Sequence, residues 1–170
     1  GWGVVVWKNN SFSYLNDGFF FQNDELELGQ KLVRIFDSIS LLIKKTKPDL
    51  IGIEQTFVGS GNVSSLKLGM ARGICILTAA KLGVKTVEIQ PKLVKKNITG
   101  SGVASKYQVN QMVKKILNIA PKSEDSSDAL AVAMSIQSKS IGKLDNGEYS
   151  SKLDQAIANA LEKEKVNMQK

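Results

Sequence analysis

Asp49-Leu50-Ile51-Gly52-Ile53-Glu54-Gln55-Thr56-Phe57 is a short apolar run that ends in an acid. A compact apolar run bounded by turn signals predicts a buried strand over 49–53. Glu54 stands at its end. Phe57 follows and leads into Val58-Gly59-Ser60-Gly61-Asn62, a loop of small and polar residues. A carboxylate at a strand end, beside an aromatic on a loose loop, is a candidate catalytic edge.

The flanks of this strand set the fold class. Upstream, Leu28, Leu32, Ile35, Phe36, Ile39, Leu42 and Ile43 recur at helical spacing over about 26–45. Lys44, Lys45 and Lys47 favour the C-terminal end of that helix, and Pro48 closes it. Earlier still, Trp2 to Trp7 reads as a strand and Asn9-Asn10 as a turn. Phe12 to Tyr14 returns as a second strand, and Asn16-Asp17-Gly18 is a further turn or a bulge. Trp2 and Trp7 read as packing residues.

Downstream, a helix is expected over about 63–82, with Leu66, Met70, Ile74, Leu77 and Thr78 along one side. Val84 to Ile89 reads as a strand, and Pro91 suits the first turn of a short helix over 92–98. Ser105 and Gln108 form a capping box that opens the next helix. A last core helix is expected over 124–137. Hairpin strands followed by alternating helices and strands give a mixed α/β domain over 1–138. Residues 139–170 read as a polar linker and a weakly helical tail.

The 170 residues are 42% hydrophobic and 23% charged, as in a globular protein. No apolar run approaches the ~20 residues of a membrane span, and the single cysteine fits a reducing, cytoplasmic location. The single cysteine, Cys75, excludes an internal disulfide and reads as a small core residue. The chain contains no histidine, which removes imidazole catalysis and His-ligated zinc. Hydrolytic chemistry must then rest on carboxylates, lysines or hydroxyls, and acidic clusters favour hard ions such as Mg2+. From Lys81 to Lys122 there are nine lysines against one acid, Glu88, within a chain of net charge +7. Such a segment is either a solvated surface or a polyanion-binding face, most simply for nucleic acid.

Asp125 and Asp128, at i and i+3, share one face of the first turn of the last core helix. Acids favour helix N-termini on electrostatic grounds alone, so this pair by itself does not settle the chemistry. Glu124 points elsewhere on the helix. With Glu54, three carboxylates from two elements could converge. Clustered carboxylates repel unless cations neutralise them, and two Mg2+ ions ~3.5–4 Å apart are the known way to use such a cluster in phosphodiester hydrolysis.

Five segments in order carry a specific resemblance: Ile53 to Phe57; Ser65 to Gly73; Val94-Lys95-Lys96 with Thr99 to Gly102; Lys106 to Val109; and Asp125 to Ala131. Over residues 1 to about 138 the chain closely resembles the RuvC-type Holliday-junction resolvases. The resemblance implies an RNase H-like mixed sheet flanked by helices, and a homodimer that cuts four-way DNA junctions by symmetric nicks. It implies two Mg2+ ions per site, with Mn2+ able to substitute, and a branch-migration helicase complex as a further partner. Glu54, Asp125 and Asp128 fall on three of the family's four catalytic acids. Lys95 and Lys106 match basic residues near the cleaved strand, with Lys106 also catalytic. Lys96 and Arg72 join them as DNA-binding residues. Phe57 matches an aromatic that meets bases at the open junction. Leu66, Met70 and Gly73 fall in the dimer-forming helix.

One departure stands against this pattern. The family's first catalytic aspartate lies on a first strand, in an Asp-Pro-Gly-like segment just ahead of the Gly1-Trp2-Gly3 match. The first strand is therefore expected to be missing from this chain, which should be inactive or poorly stable as it stands. Asp17 sits past the second strand of the family's pattern and does not fill the role. Two alternatives remain: another RNase H-like nuclease, such as a YqgF-type protein, and a non-catalytic junction-binding module. Lys114 and Lys115 read equally as phosphate contacts or as solvated charges.

Overall fold

A computed structural model describes residues 1–20, 25–55 and 63–137. The expectations for Phe57, its loop and the 139–170 tail fall outside the described residues. The chain opens with β1 (Trp2–Lys8) and β2 (Ser11–Gly18), an antiparallel hairpin. Asn9 and Asn10 turn it with φ of 51° and 59°, the left-handed conformation that two-residue hairpins need and asparagine tolerates. Trp7 packs on Phe12 across the hairpin, ring centroids 4.5 Å apart.

Then follow α1 (Leu28–Thr46), β3 (Leu50–Glu54), α2 (Val63–Lys81), β4 (Lys85–Ile89), α3 (Pro91–Thr99), α4 (Lys106–Leu117) and α5 (Glu124–Ser135). The capping box at Ser105 and Gln108 is formed in full. The expected single mixed sheet takes the form of two pairs: β1 with β2 antiparallel, and β3 with β4 parallel. Among the described residues no ladder joins β1 to β3. What joins the pairs is α5, which packs on β1, β2 and β3 as well as on α3 and α4.

Two glycines allow this. An ideal Cβ on Gly3 would lie 2.7 Å from Leu130 Cγ, and one on Gly52 would lie 3.0 Å from both Val132 and Ile136. Side chains alternate along a strand, so Leu50, Gly52 and Glu54 share the face of β3 that α5 covers.

The core gathers Ile89, Val94, Val109, Val113, Leu130, Ala131 and Met134, so it is centred on β4, α3, α4 and α5. The first two helices bury less than their periodicity predicts. Among its described residues α1 buries only Ile43 fully, and on α2 Leu66 and Leu77 remain 60% and 56% exposed. Cys75, expected in the core, is half-buried.

Of the two readings of Asn16-Asp17-Gly18, the turn is not formed and the bulge is: β2 runs through the segment, and the register shifts beside it, where Val4 pairs with Asn16 and Val5 with Tyr14. Asp17 pairs with Gly3 and is buried.

On α5, the Ser127 hydroxyl is buried with no hydrogen-bond partner among the described residues. An unsatisfied hydroxyl costs about 1–3 kcal/mol. Ser127→Ala is therefore expected to stabilise the fold by about 1 kcal/mol, read as a Tm rise of roughly 2–4 °C in thermal denaturation.

Candidate active site

Glu54 is placed by the β3–β4 pairing. It lies opposite Ile89, and the Gln55 amide donates to the Ile89 carbonyl at 2.9 Å. Gly52 meets Val132 and Ile136 of α5. Glu54, two residues further along the same strand face, therefore reaches the helix nearer its N-terminus. Asp128 lies there, one turn before Val132. Their proximity is felt in ionisation. Loss of solvent, and then the charge of Asp128, push the Glu54 carboxyl above its usual range.

Asp128 has a second neighbour. Lys106 is the first residue of α4, held there by the Ser105 cap. Its Nζ lies 3.2 Å from Asp128 Oδ2 and 3.3 Å from Glu124 Oε2. Hydrogen bonds to Asp128 and then Glu124 raise the ammonium pKa, so the lysine stays cationic. Asp125, one turn before Asp128, is exposed, and Gly1 approaches its main-chain carbonyl so closely that a Cβ would overlap it.

The structure thus brings together three of the expected residues: Glu54, Asp128 and Lys106. It adds Glu124, which the helix wheel had set aside. Asp125 borders the group on the same helix face. Among the described residues no set of three or more His, Cys, Asp or Glu side chains is arranged to hold a metal ion. The donor chemistry that is present suits a hard cation. Two oxygen-donor carboxylates from different elements repel one another, and burial together with that repulsion raises the pKa of Glu54.

The remaining expected residues lie elsewhere. Lys95 and Lys96 are on the C-terminal half of α3. Arg72, on α2, donates through Nε (2.6 Å) and Nη2 (2.5 Å) to the Glu88 carboxylate on β4, a two-pronged brace between helix and strand. Met70 is half-buried and Gly73 exposed, with nothing within 4 Å of a Cβ built on Gly73.

A family model described as "Crossover junction endodeoxyribonuclease RuvC" matches residues 1–136. The chain belongs to the RuvC family. A RuvC from Ruminiclostridium cellulolyticum is 39% identical over 136 residues, covering 79% of this chain and 82% of the relative. One from Bradyrhizobium diazoefficiens is 38% identical over 135 residues, covering 79% and 77%. The solved Thermus thermophilus RuvC superimposes with a TM-score of 0.70 at 26% identity, covering 78% of this chain and 83% of that one. The same RuvC in complex with a Holliday junction substrate gives 0.73, covering 78% and 82%. The RuvC fold is RNase H-like, and the mixed α/β architecture here agrees with that expectation. Among the described residues no helix is long and apolar enough to cross a membrane.

Proposed function

We propose that this RuvC-family chain is an endonuclease that resolves four-way DNA junctions by metal-dependent phosphodiester hydrolysis. The observation that carries the site assignment is the approach of Glu54 to Asp128, with Lys106 bridging Asp128 and Glu124. Glu54, Asp125 and Asp128 are the residues that would hold divalent cations, Mg2+ first and Mn2+ as a substitute. Bound there, such ions supply an activated water and stabilise the leaving oxygen. Lys106, exposed in the first turn of α4 and paired with Asp128 and Glu124, would meet a phosphate beside those acids. The helix N-terminus adds its own attraction for anions. Lys95, Lys96 and the other lysines of residues 81–122 would hold the DNA backbone, and Phe57 would stack on an unpaired base.

The α2 surface with exposed Leu66, half-buried Met70 and open space at Gly73 supports assembly as a homodimer. Two dimer-related sites would give paired nicks. A helicase complex and a cytoplasmic location are further parts of this reading. Among the described residues β1 and β3 each pair with one strand.

The test offers the full-length protein, with Mg2+, a four-way junction and a sequence-matched linear duplex. Paired symmetric nicks near the junction centre are expected. Equal cutting of the duplex would remove the resolvase reading. Binding without cutting would favour the junction-binding module.

A further inference from the structure

Asp17 is 1% exposed and belongs to β2, outside the acid group of the site. A carboxylate buried that far is stable only when donors surround it. The Lys122 main-chain amide donates to Oδ2 at 2.8 Å, and the Ser126 hydroxyl donates to the same oxygen at 2.5 Å. The Tyr14 hydroxyl donates to Oδ1 at 2.7 Å, and the Lys122 ammonium lies 3.9 Å from that atom. The two oxygens therefore do different things. Oδ1 takes its hydrogen bond from a residue of its own strand, with the Lys122 ammonium at ion-pair distance, whereas Oδ2 takes both of its hydrogen bonds from the turn that starts α5.

Ser126 sits between Asp125 and Asp128 and is fully buried. It also closes the helix cap: its amide donates to Ser123 Oγ, and its Oγ accepts from the Ser123 amide, both at 3.0 Å. The first turn of a helix has free N–H groups and frays readily. Here an outside carboxylate ties it at residues 122 and 126.

We propose that Asp17 is a positioning residue for strand cleavage: through Oδ2 it fixes the rotation of the first turn of α5, and so the placement of Asp125 and Asp128 against Glu54 and Lys106. This rests on the reading of those acids as the cleavage site. Nothing in the local sequence marks it, because both partners of Oδ2 lie more than a hundred residues away.

The test compares Asp17→Asn, Ser126→Ala and Tyr14→Phe in the full-length protein. It measures junction affinity without divalent metal, single-turnover cleavage with Mg2+ at saturating protein, and Tm. Asp17→Asn and Ser126→Ala are each expected to cut roughly tenfold more slowly with affinity within about twofold of wild type. The double variant should be little slower than the slower of the two single variants, since both changes act on the same Asp17–Ser126 contact. Tyr14→Phe removes a bond to the same carboxylate on the far oxygen. It should lower Tm while cleavage stays within about twofold. Should Asp17→Asn fail to fold, Ser126→Ala keeps the carboxylate and still reports on the bond. Wild-type cleavage in Ser126→Ala, equal slowing in Tyr14→Phe, or binding lost in parallel with cleavage would each overturn the proposal. A wild type that leaves junctions uncut would overturn the resolvase reading, and this proposal with it.

Discussion

Glu54→Gln is expected to slow junction cleavage on the order of 10³-fold, about 4 kcal/mol of transition-state stabilisation, with junction affinity unchanged. Glutamine keeps the size of the side chain but removes the charge that faces Asp128. A hard cation shared between β3 and α5 would lose an anionic ligand. Binding rests on other groups, namely the lysines along residues 81–122, so affinity measured without metal should not move. Single-turnover cleavage at saturating protein separates the two effects. Cleavage by the variant at the wild-type rate would take Glu54 out of the metal-binding group.

The same substitution should make the protein more stable at neutral pH. Burial and the charge of Asp128 raise the folded-state pKa of Glu54, so the folded protein holds that proton more tightly than the unfolded chain does. The ionised carboxylate therefore costs stability at pH values above the folded pKa. The cost falls away as pH drops toward the unfolded value of about 4.3. Glutamine should raise Tm at pH 7 and lose that advantage near pH 4. Asp17 has the opposite sign. Its burial opposes ionisation, but the hydrogen bonds from Ser126, Tyr14 and Lys122 outweigh it and leave the pKa lowered. Its contribution is present above the unfolded value of about 3.9 and is lost as pH falls through the folded one.

Features decided by neighbours in sequence were legible before the structure. The Asn9-Asn10 turn, the Ser105 capping box and the Pro91 helix start each depend on a few consecutive residues, and each formed as expected. The meeting of Glu54 with Asp128 was legible as well, because each acid ends or begins an element that the periodicity locates. What the sequence hid depends on distant partners. Asn16-Asp17-Gly18 has the composition of a turn, yet Asp17 is held extended by residues of the α4–α5 connection and α5. Arg72, read as a DNA-binding residue, has Glu88 of β4 as its hydrogen-bond partner. The apolar periodicity of α2 was real, but it could not reveal that Leu66 and Leu77 stay exposed in a single chain.

Gly3 is where a small substitution is expected to cost the most stability. The hairpin lies so close to α5 that an ideal Cβ at Gly3 falls 2.7 Å from Leu130 Cγ and 2.8 Å from the Leu130 main-chain nitrogen. The leucine side chain could turn aside, although it is fully buried in the core and has little room. The main-chain nitrogen cannot yield unless the helix or the strand moves. Gly3 also pairs with Asp17, so a displaced β1 would pull on the carboxylate that ties down the start of α5. Overpacking of this kind costs about 1–3 kcal/mol, and Gly3→Ala should fall in that range. Gly3→Val, with two further methyl groups, should exceed it. Against a total stability of roughly 5–15 kcal/mol that is a large share. Urea denaturation should show a lower midpoint with an unchanged m-value. Leu130 follows Asp128 by two residues, so the shift that relieves the clash also displaces the acid. In Gly3→Ala, cleavage should therefore fall by more than junction affinity does. Wild-type stability in both variants would mean that β1 and α5 do not approach as closely as the geometry of Gly3 requires.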